Sequence, residues 1–208
     1  MKKLYVSNKD ESARMFDSDF LEMFSKVHWS VPLVLFVPII SYCLYQGWLI
    51  QAQVGQLLLC LVMGILVWTM TEYVLHRFVF HYQPPGEWGA RIHFMFHGVH
   101  HDYPNDSMRL VMPPAVSIPL AYLFFLLFQW LVPTLYLYPF FAGFLIGYLF
   151  YDMLHYAIHH APMKGKLWMA LKAHHLKHHF KDPHNGYGVS SPIWDIIIGT
   201  QFPKSKDK

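Results

Sequence analysis

The chain has 208 residues, 54% of them hydrophobic and only 14% charged, with a formal net charge of +3. That balance is too apolar for an ordinary soluble domain, the length suits one domain, and there is no basic stripe, so no nucleic acid is expected as a partner. Two stretches, residues 27–71 and 110–151, contain no Asp, Glu, Lys or Arg at all.

Residues 1–28 are mixed in character. Phe16, Phe20, Leu21, Met23, Phe24 and Val27 are spaced as on a short amphipathic helix starting near Ser18 or Asp19, which predicts a segment lying in a membrane interface. About 20 apolar residues cross a bilayer, so each uncharged stretch, with its flanks, holds two crossings. The spans are expected near 31–50, 55–76, 112–132 and 138–158. Cys43 and Cys60 fall inside them and read as apolar packing residues. Gly143 and Gly147 form a GxxxG pair, which predicts a close helix contact within the chain. Every Lys and Arg lies in the N-terminal segment, in 77–109 or after 160. The positive-inside rule then puts both termini and the central loop in the cytoplasm. The fold expected is all-α: four transmembrane helices and a cytoplasmic helical cap, one domain over 1–208.

The cap holds the chemistry. Ten of the 15 histidines stand in four clusters: His76 and His81; His97, His100 and His101; His155 and His159; His175, His178 and His179. On a helix, residues three and four apart share a face, so each triplet and the His155/His159 pair can converge on one point. His76 and His81 are five apart, off a single α-helical face, and the helix is expected to end or unwind between them. Ten imidazoles exceed what one tetrahedral ion can use, and two neighbouring metal ions are the simplest arrangement that employs them. Isolated histidines such as His28 and His184 read as ordinary side chains.

Glu72 precedes His76 by four residues, and Asp152 precedes His155 by three. A carboxylate at that depth is costly unless it has a partner, and accepting the outer N–H of an imidazole ligand would supply one. His93, four residues before His97 on the same helical face, reads as an eleventh ligand or, preferably, as a residue in the same supporting role, which is also assigned to His174. The apolar IWDIII stretch near the C-terminus is expected to pack back on the site, and Lys204 and Lys206 read as a dilysine retrieval signal in a eukaryote or as a solvated tail in a bacterium.

Imidazole ligation suits zinc, copper, iron and nickel alike. Zinc would favour a membrane hydrolase, whereas a redox metal would favour oxygen activation. A metal transporter would need ligands near the bilayer midplane, and none lie there. A site fed by a bilayer suits oxidation of a long apolar substrate.

The motifs EYVLHRFVFH, HGVHHDYPNDSMRLVMPP, YDMLHYAIHH, KAHHLKHHF and GYGVSSPIWDIIIGT, in this order, resemble those of the fatty acid hydroxylase superfamily, most closely its fatty acid 2-hydroxylases. The resemblance runs from about Asp17 to Thr200. It implies two metal ions, iron in the working enzyme though zinc can occupy such sites, held by His76, His81, His97, His100, His101, His155, His159, His175, His178 and His179. It further implies O2 as oxidant and a long-chain fatty acyl or ceramide substrate hydroxylated at C2. A sterol or lipid desaturase-type oxidase is the alternative within the superfamily. Some members carry an N-terminal cytochrome b5 domain that this sequence does not show, so a separate cytochrome b5-type or ferredoxin-type electron donor is expected. The membrane would be the endoplasmic reticulum in a eukaryote and the inner membrane in a bacterium.

Overall fold

The computed structural model describes residues 3–50 and 53–203. The regular structure among the described residues is all helical, with no strand. Lys204 and Lys206 lie outside them. The chain divides into two compact units: Met1–Ala13, Glu72–Ser107 and Leu154–Lys208 form the first, Arg14–Thr71 and Met108–Met153 the second.

Four helices are long and apolar enough to cross a membrane: α2 (Val31–Leu49), α3 (Val54–Val74, continued in a π-helical turn Leu75–Phe80), α6 (Pro114–Leu131) and α7 (Thr134–His160). Of the other helices, α1 is Asp19–Phe24, α4 Gly86–His93, α5 Val99–Asp102, α8 Lys166–Phe180 and α9 Ile193–Ile198. The starts follow from local chemistry. Pro114 opens α6, where a missing N–H costs nothing, and Pro133 cannot continue it. α7 begins at Thr134, earlier than the expected 138, and takes Pro139 inside its opening turns. At 27 residues each, α7 and the α3 span with its π turn are roughly 40 Å long, against a hydrocarbon core of about 30 Å. The clustered histidines these helices carry, His76, His155 and His159, stand near their C-terminal ends.

In the second unit α7 is the central helix, 72% buried over its apolar window against 11% for α3 and α6. Edge-on aromatic contacts bind its neighbours to it: Phe36 to Tyr148 at 5.0 Å, Trp68 to Phe144 at 5.2 Å, and Phe128 to Phe144 at 5.0 Å. The GxxxG contact forms within the chain. A Cβ on Gly143 would meet the Leu61 carbonyl oxygen at 2.1 Å, and one on Gly64 the Phe140 oxygen at 2.0 Å. Only backbones without side chains approach so closely.

Ser18 caps α1, as expected from the sequence. The helix buries Glu22 and exposes Phe20, Leu21, Met23 and Phe24, the orientation of a helix whose apolar face meets lipid. Glu22 accepts hydrogen bonds from the Met15 and Phe16 amides at 2.9 and 3.1 Å and pairs with Arg109 at 2.6 Å. Burial pushes its carboxyl up, but those two amides and the guanidinium outweigh burial and hold it below the usual range. A carboxyl lowered on folding stabilises above its unfolded value of 4.5 and loses that contribution as pH falls through the folded value. Glu22→Gln should therefore cost about 1.5–3 kcal/mol at neutral pH and nothing in strong acid. Thermal unfolding in detergent across pH checks this; an equal loss at both pH extremes would refute it.

Candidate metal centre

All ten clustered histidines belong to the first unit and assemble into two groups of five. His76, His81, His97, His101 and His178 form one group. His100, His155, His159, His175 and His179 form the other. Within each group the candidate ligand atoms all lie within 4.8 Å of one another. The groups abut: the rings of His101 and His179 stack with centroids 4.3 Å apart.

The two triplets do not converge as expected. His97 and His101 serve the first group while His100 serves the second; His175 and His179 serve the second while His178 serves the first. Neighbouring helical residues point about 100° apart, so each HxxHH motif straddles both groups, giving a pair four residues apart to one and a single imidazole to the other. His155 and His159 remain together in the second group.

As the spacing predicts, the α-helix unwinds between His76 and His81, and its last helical residue is Phe80. It widens into the π turn Leu75–Phe80, and the His81 amide donates to the His76 carbonyl five residues back, at 3.1 Å. In a π turn, residues five apart take the place of those four apart in an α-helix, so both rings face the same group. A second π turn, Phe94–Gly98, carries His97. Inserting one alanine between Val79 and Phe80 should rotate His81 out of the group by about 100° and cost the first group its metal, with the second unaffected. Metal content per chain, before and after insertion, is the check; two ions retained would count against this role for the π turn.

The nitrogens meet at ligand spacing. Nε2 of His76 lies 3.0 Å from Nε2 of His97, and Nε2 of His178 lies 3.0 Å from that of His81. In the second group the pairs are His100 with His155 at 2.9 Å and His175 with His179 at 3.0 Å. Two nitrogens about 2.0–2.1 Å from one ion and at right angles to each other stand about 2.9 Å apart. Nε2 of His101 and both ring nitrogens of His159 are buried without a hydrogen-bond partner among the described residues. Five inward nitrogens, an odd number with orphans among them, do not close into N–H···N pairs. The donor set fits a metal ion in each group, with more imidazoles than a tetrahedron takes and room for one further ligand on an octahedron.

Tautomers agree with this. Nδ1 of His76 donates to the Tyr187 carbonyl oxygen, and Nδ1 of His178 to that of Asn185 at 2.8 Å. A ring that donates through Nδ1 while neutral carries its free lone pair on Nε2, facing inward. Burial, followed by the neighbouring imidazoles, pushes His97, His100, His101, His175 and His179 well below the ordinary histidine value, and His81 to about 2. Burial lowers His178 only to about 4, because the Asn185 carbonyl opposes it. These rings are neutral at physiological pH, the form that binds metal.

The supporting residues lie elsewhere than expected. The Glu72 carboxylate accepts from the Val189 and Ser190 amides at 2.7 and 2.9 Å and from the Ser190 hydroxyl, not from an imidazole. It holds the loop that carries Tyr187, and so reaches His76 one step removed. His174 bonds Asp195 at 3.3 Å, and His93 bonds Gln83 at 3.2 Å; neither bonds a ligand candidate. Asp152 is buried in the second unit beside Tyr148 and the Met112 backbone.

Helix α9 reverses its expected packing. Its isoleucines are exposed, Ile197 at 64%, and Asp195 is fully buried. The reason is electrostatic: a buried carboxylate is tolerable when it is saturated with donors, and Asp195 takes the Tyr187 and Gly188 amides at 2.9 Å each, the Thr200 hydroxyl at 2.7 Å, and His174. Thr200 in turn meets the Tyr73 hydroxyl at 2.9 Å, to which Arg77 donates at 2.8 Å. Sequence reasoning missed Asn185, Tyr187 and Asp195. Two of them act through backbone carbonyls, which no side-chain pattern reveals; the signal available was an Asp set inside an apolar run.

The fatty acid hydroxylase family model matches residues 61–200. A dihydroceramide fatty acyl 2-hydroxylase of Arabidopsis thaliana is 38% identical over 197 residues, 94% of this chain and 82% of that protein. A fatty acid 2-hydroxylase of Rattus norvegicus is 36% identical over 93% of this chain, which spans only 58% of the rat protein. A solved structure of full-length scs7p, in which only the hydroxylase domain is visible, superposes with a TM-score of 0.83 at 37% identity, covering 90% of this chain and 71% of that one.

Proposed function

The chain belongs to the fatty acid hydroxylase family, and from that premise we propose that it is an O2-dependent membrane monooxygenase that hydroxylates C2 of long-chain fatty acyl groups, free or in a ceramide. The observation that carries the reading is the pair of abutting five-imidazole groups with nitrogens 2.9–3.0 Å apart. The Arabidopsis relative is named for acyl 2-hydroxylation on dihydroceramide and the rat relative for 2-hydroxylation of fatty acids.

The ten clustered histidines would be the ligands of two ions, iron in the working enzyme. Iron held there would supply oxygen activation for hydroxylation at the carbon beside the acyl carbonyl. The protein's own part is positional. Tyr187 and Asn185 hold protons at Nδ1 of His76 and His178, which keeps each Nε2 lone pair inward. Burial of His76, His97, His100, His155, His175, His178 and His179 keeps bulk water from the ligand atoms. α3, with its π turn, and α7 are both span and ligand carrier, so a bilayer-borne acyl chain and the metals share the same helices.

Electrons would come from a separate cytochrome b5-type or ferredoxin-type donor. Both termini would be cytoplasmic, in the endoplasmic reticulum of a eukaryote or the inner membrane of a bacterium, following the distribution of Lys and Arg. Residues 1–208 would act as one hydroxylase domain with an interfacial N-terminal segment.

Expression in cells, with mass spectrometry of extracted lipids, tests the proposal. New 2-hydroxy fatty acids that disappear without oxygen are the expected result. Unchanged acyl profiles from well-folded, iron-loaded protein supplied with an electron donor would overturn it. An activity that persists anaerobically would point to a zinc-dependent hydrolase.

A further inference from the structure

The two groups of imidazoles are held differently from outside. In the first, two ligand candidates are tied by Nδ1 to carbonyls of one short loop: His178 to Asn185 and His76 to Tyr187. That loop is clamped at both ends by buried carboxylates. Asp195 binds the amides of Tyr187 and Gly188, and Glu72 binds those of Val189 and Ser190. Asp195 is itself fixed by Thr200, which Tyr73 and Arg77 brace. In the second group, Nδ1 of His159, His175 and His179 is buried with no hydrogen-bond partner among the described residues. An outer acceptor fixes a ligand ring's tautomer and orientation and raises its basicity, and losing one typically weakens metal binding about 10–100-fold.

We propose that the two metal positions are inequivalent: the position of His76 and His178 is framed by Asp195 and Glu72 and retains its ion, whereas the other position, three of whose imidazoles (His159, His175 and His179) have no Nδ1 partner among the described residues, is less firmly framed and exchanges faster. Asp195 is a positioning residue for one ion only, acting through the Tyr187 carbonyl. This rests on the two-ion reading proposed above and adds to it an order of loading and loss: the framed position fills first and empties last.

The test follows release of zinc from the zinc-loaded full chain in detergent to a chromogenic chelator. The expected trace has two phases of one equivalent each, with His159→Ala removing or accelerating the fast phase. Asp195→Asn should speed the slow phase about 10–100-fold and leave the fast phase alone. Thr200→Val, which keeps side-chain shape and removes one bond to Asp195, should do the same to a smaller degree and serves if Asp195→Asn does not fold. General destabilisation would speed both phases together, so selective acceleration separates positioning from mere structural support. Two equivalents leaving at one rate, or variants of the frame that alter the fast phase or both phases equally, overturn the inference while sparing the two-ion site. A folded chain that takes up no zinc or iron overturns both.

Discussion

Replacing His100 or His101 with alanine is expected to abolish 2-hydroxy fatty acid formation in both cases, yet through different ions. The two residues are adjacent, but His101 belongs with His76, His81, His97 and His178, and His100 with His155, His159, His175 and His179. Each replacement removes one of five imidazoles from one group. If the reaction needs both ions, either loss should lower the rate by about a thousandfold or more, on the order of 4 kcal/mol of barrier. The double variant should be scarcely worse than either single one, because parts that act as a unit do not contribute additively. Metal content separates the cases: after dialysis against a weak chelator, about one ion per chain should remain in each single variant and close to none in the double. Substantial activity in either single variant, or loss of the same ion in both, would break the assignment of the triplet to two groups.

Removing the metals should also lower thermal stability sharply. Four imidazole pairs bring ring nitrogens to 2.9–3.0 Å, and Nε2 of His101 and both nitrogens of His159 are buried without partners among the described residues. Buried polar atoms without partners cost about 1–3 kcal/mol each, and a bound ion relieves that cost for a whole group. An ion present at a thousand times its dissociation constant stabilises by about 4 kcal/mol. For a chain of this size that corresponds to a shift in melting temperature of roughly 8–16 °C per ion. Unfolding followed in detergent with and without chelator, then after adding iron or zinc back, measures it. A midpoint that ignores both treatments would mean that the imidazoles are satisfied without metal.

Much of this protein is legible in one dimension because its strongest signals are local. An uncharged run of sufficient length predicts a span whatever surrounds it, since the cost of a charge in hydrocarbon is a property of the residue; hence α2, α3, α6 and α7 fall where the two uncharged stretches place them. Imidazoles three to five residues apart likewise announce metal chemistry before any fold is known. What tertiary structure alone decided is how those imidazoles are shared and held. A π turn puts His76 and His81 on one face, and the HxxHH triplets divide between two groups. Glu72 holds a loop where a direct bond from its carboxylate to an imidazole was expected, and Asp195, which no expectation covered, holds the same loop. The last of these depends in part on a backbone amide brought to a carboxylate from more than a hundred residues away, as Val189 is to Glu72. Every residue carries the same backbone groups, so nothing in the order of side chains marks which of them will meet.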